Sequence, residues 1–106
     1  MPVYFGMYKI NASLPPPPNP TDEIKQLEAF QAALKMQMDS GDLKEVHEFI
    51  DANAGYFISG DISPERLHQN LVAWFPYVTF EVHQTIPSLK AIQNSLAAAK
   101  MRAGMR

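Results

Sequence analysis

The sequence predicts an α+β fold in which strands and helices follow one another as β-α-β-β-α-β, with one more helix at the C-terminus. Three observations carry this. The stretch 77–86 alternates faces: Val78, Phe80 and Val82 point one way, and Thr79, Glu81, His83 and Thr85 the other. That two-residue period marks a strand with one packed and one polar face. Two apolar stripes at helical spacing are each opened by a capping residue and followed by a glycine or proline. Two further strand-like runs are separated by a short loop containing Asn and Gly.

Residues 3–10 are rich in β-branched and aromatic side chains and form the first expected strand. Both of its faces are largely apolar, with Val3, Phe5 and Met7 on one and Tyr4, Tyr8 and Ile10 on the other, so it belongs in the middle of a sheet. Residues 13–20, SLPPPPNP, form a stiff polyproline crossover. Thr21 is the expected cap of the first helix, with Asp22 and Glu23 complementing its dipole. Ile24, Leu27, Phe30, Leu34 and Met38 form its stripe, and Gly41 ends it. Strands are expected over 43–51 and 56–62, joined by a hairpin loop over 51–55. Ser63 and Pro64 open the second helix, whose buried stripe is Leu67, Leu71 and Trp74 or Phe75. Pro87 ends the last strand, and Ser88 caps a final helix with Leu89, Ile92, Leu96 and Ala99 on one side. This order is the split βαβ, ferredoxin-like arrangement, with both main helices on one face of a four-stranded antiparallel sheet. The other face is left open, and a second copy is its expected cover.

The chain has 106 residues, 46% hydrophobic and 19% charged, which suits one domain over residues 1–106. Nine Lys and Arg against eleven Asp and Glu leave no basic footprint for nucleic acid. With no cysteine, disulfides, thiolate nucleophiles and zinc–thiolate sites are excluded, and a reducing, cytoplasmic setting is expected. No apolar run reaches the roughly 20 residues of a membrane span, and no secretory leader is visible. No cofactor is expected.

The candidate chemistry lies on strands. Glu81 and His83 share the polar face of the last strand, and a carboxylate beside an imidazole can serve as general base and acid. His47 shares a face with Glu45 and Phe49. If the two faces are one, Glu81 and His83 would form a catalytic pair, with His47, Tyr4 and Tyr8 lining the ligand space. Trp74 is a candidate pocket wall. The competing reading of Glu81 and His83 is as polar residues of a dimer interface or of a solvated sheet face. No HxH or HExxH spacing supports a metal site.

Several residues carry a family resemblance. Leu67-His68, Leu71, Phe75-Pro76-Tyr77 and Glu81-Val82, with Gly41 and Tyr56, resemble the dimeric α/β-barrel superfamily, and within it the muconolactone isomerases most. The stretch Trp74 to Val78 is similar as well to small domains of that superfamily without assigned activity. The resemblance covers most of 41–86. It implies two ferredoxin-like protomers with opposed sheets, and a cofactor-independent isomerase acting on a small organic molecule by proton transfer. The alternative is a non-catalytic homo-oligomeric module for ligand binding or assembly.

Overall fold

The structure, a computed structural model, describes residues 2–104. Its elements are β1 (Val3–Ile10), α1 (Pro20–Asp39), β2 (Leu43–Glu48), β3 (Ala54–Ser59), α2 (Pro64–Val72), β4 (Val78–Thr85) and α3 (Ser88–Arg102). The sheet is antiparallel, in the order β2-β3-β1-β4. The α+β, ferredoxin-like expectation holds, and the doubly apolar β1 is indeed central.

The element ends differ from expectation where local hydrogen bonding decides. Asn19, not Thr21, caps α1: its Oδ1 accepts from the Asp22 N–H at 2.9 Å, and Pro20 takes the first helical position. Ser63 caps α2 as expected, accepting from the Arg66 N–H at 3.1 Å. At α3 the chain enters through Pro87 with no side-chain cap, and Ser88 lies inside the helix. β3 stops at Ser59 because Ser59 turns inward, wholly buried, where its Oγ accepts from the Tyr4 N–H at 2.8 Å and donates to the Gly60 carbonyl. Ile62 then enters the core rather than extending the strand.

The core is small: Tyr4, Leu43, Phe57, Ile62 and Leu67, with Leu34, Val46, Leu71, Phe80 and Val82 packed against it. Both main helices therefore cover one face of the sheet. Two aromatic rings make close packing possible there. The Phe57 ring lies over Gly6, its cross-strand partner, and the Tyr8 ring lies over Gly55, its own partner. Gln37 ties the helices together, donating to the Asn70 carbonyl and accepting from Trp74 Nε1.

Asp42, buried between β2 and α2, anchors the second helix. Its Oδ2 accepts from Arg66 Nε at 2.7 Å and from Asn70 Nδ2 at 2.9 Å. The Asn70 and Arg66 hydrogen bonds hold its carboxyl below the ordinary carboxylate range. A carboxyl whose pKa is lowered by folding stabilises the fold above its unfolded pKa and loses that contribution as pH falls through the folded value. Asp42→Asn is therefore expected to flatten the acid limb of the stability profile below about pH 4. It should also cost about 1–2 kcal/mol at neutral pH, since half-exposed Arg66 can turn to water. Urea denaturation from pH 3 to 7 measures both effects; parallel acid limbs would show that Asp42 does not set the acid sensitivity.

Much apolar surface is left uncovered. Ile24 and Leu27 of α1, Val72 and Phe75 at the end of α2, and Leu89, Ile92, Leu96 and Met101 of α3 are all exposed. The molecule is 69 Å long and its radius of gyration is 18.8 Å. A compact chain of this length would have a radius of about 13 Å.

Candidate functional site

The face of the sheet away from the helices is assembled by register. Phe5 is paired with His83 on one side and Ile58 on the other, and Ile58 with Glu45. One level along, Met7 is paired with Glu81 and Tyr56, and Tyr56 with His47. Directly paired residues share a face. The open face therefore carries two cross-sheet rows: His83, Phe5, Ile58, Glu45 and Glu81, Met7, Tyr56, His47. A bulge between Leu43 and Glu45 makes this possible. It lets Leu43 turn into the core while Glu45 and His47 face outward.

Rings floor this face. Phe5 and Tyr56 are stacked with centroids 5.9 Å apart, and Tyr56 stacks on His47 at 5.2 Å. The imidazoles stand at opposite edges, each with a carboxylate just beyond hydrogen-bond reach. His83 Nε2 is 3.6 Å from Glu81 Oε1, and His47 Nε2 is 3.6 Å from Glu45 Oε1. The side chains of Glu81 and His83 are 71% and 63% exposed.

The structure thus places Glu81, His83 and His47 on one face and separates from it the other three candidates. Tyr4 points to the helices and is a core residue, its hydroxyl buried without a protein partner. Tyr8 points the same way, since it lies one residue out of phase with Met7. Its hydroxyl donates to the His47 carbonyl at 3.3 Å. Burial, and then the negative charge of Glu48, push that phenol's pKa up, so it stays a donor. Trp74 packs on Phe30 at 5.6 Å where α1 meets α2, while Phe75 is the exposed member of that pair. Phe5, Tyr56 and Glu45 join the site without having been given a part in it by the sequence: alternation sets Glu45 beside His47 and Phe5 on one face of β1, and the pairing of β1, β2 and β3 brings them together with Tyr56.

Two cavities lie elsewhere. One, of about 410 Å³, is walled by the prolines 15–18 with Leu14, Pro76 and Tyr77. The other, of about 660 Å³, lies at the sheet end between Pro2, Asp61, Gln84 and Pro87. No group of three or more His, Asp or Glu side chains able to hold a metal occurs among the described residues. No helix among them is long and apolar enough to cross a membrane.

No protein-family model and no curated protein matches the chain. Among the solved structures that match is the crystal structure of muconolactone isomerase, with a TM-score of 0.62 and 23% sequence identity over 80% of this chain and 88% of that one. With its two main helices on one side of a four-stranded antiparallel sheet, this chain has the fold of muconolactone isomerase.

Proposed function

We propose that the protein is a self-associating small α/β-barrel protein whose open sheet face is its working surface, and that it acts there as a cofactor-independent isomerase by proton transfer. The observation that carries the reading is the placement of Glu81 and His83 side by side on that face, with His47 across a floor of stacked rings. A carboxylate can take a proton from a carbon next to a carbonyl, and that proton, passed to the neighbouring imidazole, can be delivered to the far carbon of the resulting conjugated dienolate, which leaves both groups as they began. Such chemistry needs a dry site. The open face is wet in one copy, so a second sheet laid over it is the cover the reaction requires. The uncovered apolar side chains and the elongated shape support association. The setting is the cytoplasm, as expected of a cysteine-free sequence.

The test uses muconolactone as substrate, on the strength of the structural likeness. Glu81→Gln is expected to leave denaturation unchanged within about 0.5 kcal/mol. It should abolish turnover, because an amide cannot accept the proton. Equal turnover by both proteins would remove Glu81 from the mechanism. A second reading is a non-catalytic assembly module in which the same groups line the interface. The cavities favour it, since neither is lined by Glu81, His83 or His47. A chain that associates, fails to turn over muconolactone and loses association in Glu81→Gln would establish that reading instead.

A further inference from the structure

The sequence carries the tripeptide Glu-Val-His twice, at 45–47 and 81–83. The structure puts both copies on edge strands, β2 and β4, which run in opposite directions and present the tripeptide to the same face. Val46 and Val82 pack against the core, and each Glu and His faces the open side. In both, the imidazole Nε2 and carboxylate Oε1 are 3.6 Å apart. Two ligands of a tetrahedral zinc ion, at metal distances near 2.0–2.1 Å, are about 3.4 Å apart. Each dyad is thus close to the bite of a bidentate chelate. Within one chain the two cannot share an ion, because they are separated by three strand spacings, about 14 Å.

The register shows how they would meet. Each cross-sheet row has a histidine at one edge and a glutamate at the other: His83 is level with Glu45, and Glu81 with His47. Lay a second sheet on the first about a two-fold axis parallel to the strands, so that β4 lies over β2. His83 then comes over Glu45 of the second copy, and Glu81 over its His47. Opposed sheets pack about 10 Å apart, a gap that side chains of this length span by meeting midway. The result is two imidazole nitrogens and two carboxylate oxygens converging, and symmetry repeats the cluster at the other edge.

We infer that the paired sheets bind a divalent transition metal of the zinc class at each edge, through Glu81 and His83 of one copy and Glu45 and His47 of the other. The donor set, two imidazoles and two carboxylates without thiolate, is one that zinc accepts. This site rests on the self-association proposed above and belongs with the assembly reading of the open face, because Glu81 and His83, once bound to zinc, are no longer free to move a proton. It departs from the sequence expectation that no metal is bound.

The experiment measures zinc uptake by chelator-treated full-length protein in equilibrium dialysis, with light scattering on the same samples. One zinc per chain is expected, together with at least tenfold tighter association. His47→Ala and His83→Ala should each weaken zinc uptake at both sites at least tenfold, since every site draws on both dyads. His68→Ala, altering an exposed histidine on α2, should lose none. Mixing the His47→Ala and His83→Ala proteins should restore one ion per mixed dimer, because one edge then keeps both intact dyads. A dimer that takes up no zinc overturns the metal site and leaves self-association standing. A monomer with and without zinc overturns both. Single variants that each keep half the zinc, or a mixture that regains none, overturn the sharing of ligands between copies.

Discussion

Gly6→Ala is expected to cost about 3 kcal/mol or more, at the upper end of what overpacking a core does. A methyl group at position 6 would lie inside the Phe57 ring. That ring is 3% exposed, held among the buried side chains and edge-on to Phe80 at 6.0 Å, so it cannot swing clear without opening the core. A domain with a core this small has only about 5–15 kcal/mol of total stability, so the loss is a large share of it. Thermal and urea denaturation read it directly. The double variant Gly6→Ala with Phe57→Leu removes the obstructing ring edge and should recover part of the loss. A Gly6→Ala protein within 1 kcal/mol of the parent would show that the ring has another place to go.

The second large effect concerns assembly. Ile92→Asp with Leu96→Asp, two exposed positions of α3 that bury nothing within the chain, should leave the far-ultraviolet spectrum of the sheet and main helices unchanged. If α3 lies against another copy, each side chain contributes about 1.5–3 kcal/mol by burial. Losing both then weakens association by on the order of 10² to 10⁴-fold. Sedimentation velocity over a concentration series measures the shift. An unchanged dissociation constant would mean that α3 stays in solvent in the assembled protein and that the sheet face alone carries the contact.

The fold was legible because each element announces itself locally. The alternation of β4, the doubly apolar β1 and the Ser63-Pro64 start are short-range signals, and the pairing order follows from few choices. The site was legible in part. Glu81 and His83 share a face by alternation alone, which needs one strand and no partner. Bringing His47 to that face depends on the pairing of β2 with β3 and on the bulge at its start, where one extra residue reverses which side chains look outward. Sequence alone does not separate Tyr4 and Tyr8 from the site, because a doubly apolar strand does not declare which of its faces the helices will take. That is decided by Phe57 and Gly55 across the sheet. The stripe of α1 was legible as a helix but not as a surface. Ile24 and Leu27 hold the right phase, and the small sheet of one chain leaves them uncovered.

The reciprocal pairs on the central strands, Phe57 over Gly6 and Tyr8 over Gly55, also bear on how the chain finds its sheet. A slip of β3 against β1 by two residues keeps every side chain on its proper face, so hydrophobic patterning alone does not forbid it. The slip does move Phe57 from Gly6 onto Tyr4 or Tyr8, placing two rings where the native pairing has one ring and a hydrogen atom. Both nearby wrong alignments thus lose the seating of a ring over a glycine at both places along the two inner strands. In this chain glycine acts as a position mark, telling two otherwise interchangeable apolar strands where along one another to stop.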